Sequence, residues 1–155
     1  MADRTASSIA IATARATVMA VIGDFAAYPE WAGAVRSAEV IERDGGGRPA
    51  TVRFRLDAGM IKDSYVLRYD WDGDKAVRWD LAEPGSIVSA MSGGYYLAEA
   101  PGQTTVTYEL AVEVRVPMPG MLKRRAEKTI IDTALKGLKT RAEGMAAVGS
   151  GEDTT

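Results

Sequence analysis

The chain has 155 residues, 46% of them apolar and 26% charged, with a formal net charge of -2. That length fits one domain, residues 1–155, able to bury roughly two thirds of its extended surface, and the charge shows none of the basic excess that marks a nucleic-acid binder. There is no Cys and no His, which removes disulfides, thiolate nucleophiles, Cys- or His-ligated metals and every Ser–His or Cys–His pair, leaving Asp, Glu, Tyr, Lys, Arg and Ser for any catalysis.

Residues 1–6 and 147–155 are small and polar and are expected to fray, leaving an ordered core of about 7–146. Ser8–Thr13 reads as a first strand. The Ala-rich run Ile9–Ile22 is broken by Arg15 and lacks a basic block before it, so it reads as structure rather than a signal peptide. Ala16–Asp24 is expected to be a short helix with Val18, Val21 and Ile22 on one face. Pro29 is expected to stop regular structure, with a second short helix over Glu30–Val35. A strand over Ser37–Arg43, the turn Asp44-Gly45-Gly46-Gly47 and a strand over Thr51–Asp57 form a hairpin. In the second of these strands Val52, Phe54 and Leu56 oppose Arg53 and Arg55 by period two.

The strand Asp63–Trp71 places Tyr65, Leu67, Tyr69 and Trp71 on one face, and Asp72-Gly73 turns the chain. Lys75–Ala82 sets Val77, Trp79 and Leu81 against Arg78 and Asp80. Ser86–Glu99 carries Gly93-Gly94, which suggests a bulge or bend. Thr104–Val116 alternates most cleanly: Val106, Tyr108, Leu110, Val112, Val114 and Val116 point inward. After Pro117-Met118-Pro119-Gly120, Met121 to about Ala146 has an apolar stripe at helical spacing, through Leu122, Ala126, Ile130, Ile131, Ala134, Leu135, Leu138, Ala142 and Met145. Lys123, Arg124, Glu127, Lys128, Lys136 and Lys139 fall mostly on the wet side. Seven antiparallel strands with one segregated long helix make an α+β, two-layer architecture. No run of ~20 apolar residues predicts a membrane span, and a cytoplasmic location is the default expectation.

One set of residues resembles a known family. Ala14, Val18, Val21, Ile22, Asp24, Tyr28, Pro29 and Trp31 match the first half of its pattern, although Arg15 stands where a Pro is usual and Met19 where an aromatic is usual. Gly93, Tyr95, Leu97, Thr104, Val106, Tyr108 and Leu110 match the second half, and Pro117-Met118-Pro119 precedes the last helix as expected. Over residues 8 to 145 the chain resembles the START-like (SRPBCC) superfamily, in its polyketide cyclase/dehydrase branch. The resemblance implies a helix-grip fold: a curved seven-stranded antiparallel sheet wrapped around the C-terminal helix, with two short helices after the first strand. It also implies an elongated hydrophobic cavity between sheet and helix. The expected function is binding of a hydrophobic small molecule (lipid, isoprenoid or polyketide-like), with no cofactor and no metal. The alternative is an aromatase/cyclase-type enzyme acting on a polyketide chain, which the missing His weakens. A third class, a macromolecular partner role, lacks a basic face for RNA.

The expected ligand-binding residues are Trp31, Phe54, Tyr65, Tyr69, Trp79, Tyr95, Tyr108, Leu135 and Leu138. The same large side chains are equally suited to filling a core; among them Tyr is the more suggestive, because a buried hydroxyl needs a partner. The strand residues Arg53, Arg55, Arg68 and Arg78 have the parity of solvent-facing positions, and Ser64 and Ser86 offer no better catalytic prospect. Asp70-Trp71-Asp72-Gly73-Asp74 resembles a calcium loop only superficially: Gly is misplaced and Leu81 stands where a bidentate Glu is required. Lys123-Arg124-Arg125 reads as a solvated face, with anionic lipid or a ligand carboxylate as the other reading. Asp24, unfavourably placed at a helix C-terminus, reads as structural, held by a local hydrogen bond.

Overall fold

The computed structural model describes residues 4–57 and 62–153, with side chains described through residue 145. Strand β1 (Thr5–Ile11) is followed by helix α1 (Arg15–Gly23), a 3-10 turn (Phe25–Ala27) and helix α2 (Tyr28–Trp31). Six strands follow: β2 (Val35–Arg43), β3 (Pro49–Asp57), β4 (Lys62–Asp72), β5 (Ala76–Glu83), β6 (Val88–Ala100) and β7 (Gln103–Val114). Helix α3 (Gly120–Asp153) closes the fold. The strands form one antiparallel sheet in the order β1-β7-β6-β5-β4-β3-β2. The five hairpins are sequence neighbours; only the β1–β7 pairing is distant, and the α1–α2 segment carries the chain from β1 at one edge to β2 at the other. α3 packs on β1, β7, α1 and α2, and its buried stripe joins the inner sheet face in one core. This is the helix-grip fold.

Period-two alternation sets the inner face. Val52, Phe54 and Leu56 are buried while Arg53 and Arg55 are exposed, as apolar burial on one side of a pleated strand demands. The Asp72 turn forms as expected: Gly73 takes φ +51° and the Lys75 N–H donates to the Asp72 carbonyl at 3.0 Å.

Several expectations are corrected. Pro29 does not end regular structure. It occupies the first turn of α2, where its missing N–H costs nothing, and Val35 already belongs to β2. Thr5 and Ala6, expected to fray, pair with Leu110 and Glu109. α3 is longer than the ~25 residues suggested by the stripe, at 34 residues. Gly93-Gly94 is no bulge: register runs unbroken through it on both sides, and the irregularity of β6 lies between Val88 and Ala90. Gly93 is instead a close-approach position, where a Cβ would sit 2.5 Å from the Glu109 carbonyl oxygen and 2.7 Å from the Trp79 ring. β6 begins at Val88 rather than Ser86 because the Asp63 carboxylate captures the N–H groups of Ser86, Ile87 and Val88 at 2.7–2.9 Å. Burial of Asp63 raises its pKa, but these backbone donors outweigh it and hold the carboxyl below its usual range.

Parity puts Val116 on the inner face, but the sheet ends at Val114 and Val116 is 47% exposed. Met145, the last residue of the stripe, is also 47% exposed. Asp24 makes only backbone bonds among the described residues, its N–H to Val21 and its carbonyl from Ala27, and its side chain is exposed. The largest reversal is Glu127. It is 1% exposed, and its carboxylate accepts from the Thr5 hydroxyl at 2.6 Å and the Val112 N–H at 2.8 Å. Thr5 pairs with Leu110 at the described end of β1, so Val112 lies beyond that ladder, and the Glu127 side chain supplies the acceptor a strand would otherwise provide.

Candidate functional site

The inner face of β3–β7, the α2–β2 connection and α3 together enclose a narrow apolar space. Its walls are Tyr28, Ala32, Ala34, Val35, Phe54, Leu56, Tyr65, Leu67, Tyr69, Trp79, Met91, Tyr95, Tyr108, Leu110, Ile130 and Ala134. The unfilled space among these side chains, open margins included, is about 550 Å³, but the centre of a water molecule can reach only about 50 Å³. Pockets that hold drug-sized ligands span roughly 300–1,000 Å³, so a ligand of that size requires the aromatic side chains to move apart.

The aromatic side chains of the wall belong to a connected chain of rings that continues through Phe25 and Trp31 behind it. Trp31 lies 4.6 Å from Tyr28, Tyr28 4.7 Å from Phe25, and Phe25 5.0 Å from Tyr69, centroid to centroid. Tyr69 then meets Trp79 at 5.6 Å, and Trp79 meets Tyr95 at 5.5 Å and Tyr108 at 5.6 Å. Period two supplies the row, since Tyr69, Trp79, Tyr95 and Tyr108 come from four adjacent strands at inward positions. Tyr69 pairs directly with Trp79 and Tyr95 with Tyr108.

No wall residue is charged. The polar atoms are tyrosine hydroxyls and the Trp79 indole N–H. Tyr28 donates to the Ile22 carbonyl at 2.5 Å. Among the described residues no hydrogen-bond partner receives the hydroxyls of Tyr65, Tyr69, Tyr95 or Tyr108, and Trp79 Nε1 is buried without a partner. Burial pushes the pKa of all five tyrosines above the usual range, and for Tyr28, Tyr65, Tyr69 and Tyr95 a neighbouring tyrosine's negative charge adds to it. They are therefore neutral donor–acceptors at neutral pH.

Of the residues expected to bind a ligand, Phe54, Tyr65, Tyr69, Trp79, Tyr95 and Tyr108 line this space. Trp31, Leu135 and Leu138 are buried but lie off its wall. The Trp31 carbonyl packs against Gly137 of α3, where a Cβ would overlap it. α3 contributes Ile130 and Ala134 instead. Leu138 continues that ridge one turn further, past the end of the space. It is fully buried and does not line this space, so Leu138→Ala is expected to cost about 2–5 kcal/mol in urea melts; a loss near zero would show that the residue is not packed as described. The wall also takes in residues not named among the expected ligand-binding set, Tyr28, Met91, Ile130 and Ala134 among them. Tyr28 lies in the motif already noted, and the two α3 residues lie in the stripe.

Arg53, Arg55, Arg68 and Arg78 are exposed, as their parity indicated. Among the described residues no group of His, Cys, Asp or Glu is placed to hold a metal, and no helix is long and apolar enough to cross a membrane.

Comparison with known proteins places this geometry. A START superfamily protein from Mycobacterium smegmatis superposes with a TM-score of 0.83 at 20% identity, over 92% of this chain and 98% of that one. The Zhui aromatase/cyclase from Streptomyces sp. R1128 superposes at 0.77 and 16% identity, over 92% and 94%. A protein from Thermus thermophilus does so at 0.76 and 22% identity, over 94% and 99%. At these identities the likeness is one of fold. No curated protein sequence matches the chain. The sequence itself matches the family described as polyketide cyclase / dehydrase and lipid transport over residues 3–143, and the chain belongs to that family.

Proposed function

We propose that this protein binds a hydrophobic small molecule, of lipid, isoprenoid or polyketide-like character, in the space between sheet and α3, and that it does so without catalysing a reaction. The observation that carries this reading is the wall: aromatic and aliphatic throughout, uncharged, with tyrosine hydroxyls and one indole N–H as its polar groups. An apolar enclosure with a few unpaired polar atoms is what a small-molecule site requires. The indole N–H can only donate, and the tyrosines can donate, so the complementary ligand is uncharged and carries acceptors such as carbonyl or ether oxygens on an apolar body. A charged ligand would lose its hydration against a wall with no counter-charge.

The cyclase reading is supported by the fold likeness to an aromatase/cyclase and by the name of the family. It lacks a general acid or base with a pKa near neutrality at the wall, because the tyrosines are shifted the wrong way. The test is displacement of an uncharged fluorescent apolar probe, run beside a turnover assay with aromatic poly-ketone substrates and native mass spectrometry for a co-purified adduct. Binding that weakens about tenfold in Trp79→Ala and a few-fold in Tyr95→Phe or Tyr108→Phe is expected, without turnover. Turnover abolished by the Tyr→Phe substitutions would overturn the binding-only reading in favour of the cyclase.

A further inference from the structure

A second surface lies apart from this space, at the corner where β7 gives way to α3. The sheet ends at Val114, the Arg115 N–H donates to the Ile87 carbonyl at 2.8 Å, and Pro117-Met118-Pro119 carries the chain into α3. Two apolar side chains stand in solvent here: Val116 is 47% exposed and Met121 75%. Met121, Arg124, Arg125 and Lys128 line one shallow strip of α3, at the i, i+3, i+4 and i+7 spacing of a single helix face. Between Arg115 and Lys128 the sequence holds five cations, Arg115, Lys123, Arg124, Arg125 and Lys128, and one acid. That acid is Glu127, which is turned inward onto Thr5 and Val112. The outward face of this stretch is therefore cationic in a chain whose net charge is -2. Two acids meet it: Glu113, beside Lys123 at 3.4 Å, and Asp132, which lies in the strip itself and pairs with Lys128 at 2.9 Å.

We propose that the β7–α3 corner docks on an anionic lipid bilayer surface, with Met121 and Val116 entering the headgroup layer and the surrounding Arg and Lys side chains meeting the lipid phosphates. Two exposed apolar side chains fall far short of the roughly 800 Å² per partner of a stable protein interface. A bilayer asks for no shape match. It rewards a small apolar insertion ringed by cations, each basic residue strengthening attachment to an anionic surface several-fold. The inference stands whether or not the inner space holds a ligand.

The experiment is flotation of the full chain with phosphatidylcholine vesicles, with and without phosphatidylglycerol, at low and high salt. Binding to the anionic vesicles alone, lost at high salt, is expected. Met121→Asp and the double change Arg125→Glu/Lys128→Glu should each weaken it about tenfold or more, while Met121→Leu retains it; all these positions are on the surface, and unchanged melting temperatures would confirm folding. Equal partition onto neutral vesicles, or binding indifferent to both charge-altering variants, would overturn the proposal. Capture by an immobilised acidic peptide with no vesicle binding would also overturn it, in favour of an acidic protein partner.

Discussion

Raising the pH to between about 11 and 12 should unfold this protein abruptly. Five tyrosines, Tyr28, Tyr65, Tyr69, Tyr95 and Tyr108, are held above their ordinary range, first by burial and, in all but Tyr108, then by one another's charge. The sign follows from linkage. A group whose folded pKa is raised contributes stability that is fully present below its unfolded value, near 10 for Tyr, and is lost as the pH climbs towards the folded value. Above pH ~10 each tyrosine ionises in the unfolded chain but not in the native one, costing about 1.4 kcal/mol per pH unit. Together the five withdraw about 7 kcal/mol per unit, against a typical total of about 5–15. The native state should therefore be exhausted between about pH 11 and 12. Phenolate absorbance near 295 nm should rise in the same step in which far-UV circular dichroism is lost. Absorbance following the curve of free tyrosine while the dichroism stays native would mean that the hydroxyls ionise in place and that the space is wet.

The second large effect is expected at Glu127. Glu127→Ala strips the acceptor from the Val112 N–H and the Thr5 hydroxyl at a site that is 1% exposed. Charged hydrogen bonds contribute about 1.5–3 kcal/mol each, and orphaned buried donors keep the penalty of desolvation. The void left by the side chain adds to it. A loss of about 3–5 kcal/mol in urea unfolding is expected, with the β1–β7 edge the first region to gain amide exchange. Glu127→Gln keeps the shape and one acceptor oxygen and should recover more than half of that loss. A Glu127→Ala cost below about 1 kcal/mol would show that water replaces the carboxylate, contrary to its burial.

These two residue groups illustrate how much of the molecule was legible before folding. Alternation in Val52-Arg53-Phe54-Arg55-Leu56 and in Val106 to Val112 marks strands and their inner faces, because a pleated strand with one face buried permits only that pattern. The 3.6-residue stripe after Pro119 marks α3. Together with the Tyr28-Pro29-Glu30-Trp31 motif these local signals determine the element order, the antiparallel hairpins and the family, because each depends on neighbours within about ten residues. Inward parity likewise marked Tyr65, Tyr69, Trp79 and Tyr108, and the family pattern marked Tyr95.

Only the tertiary structure decided which buried residues face the space and which fill the core. Trp31, Leu135 and Leu138 share the burial of Tyr69 and Trp79, yet α3, with Gly137 packed on the Trp31 carbonyl, presents Ile130 and Ala134 to the space instead. Glu127 reads as solvated from its place beside the helical stripe, and its role appears only where Val112, paired with Met91 on one side, lies past the described end of β1 on the other. The fate of Val116 turned on where the sheet stops. Which side chain borders a void, satisfies a distant N–H or is left uncovered depends on residues tens of positions away, and no local periodicity encodes that distance.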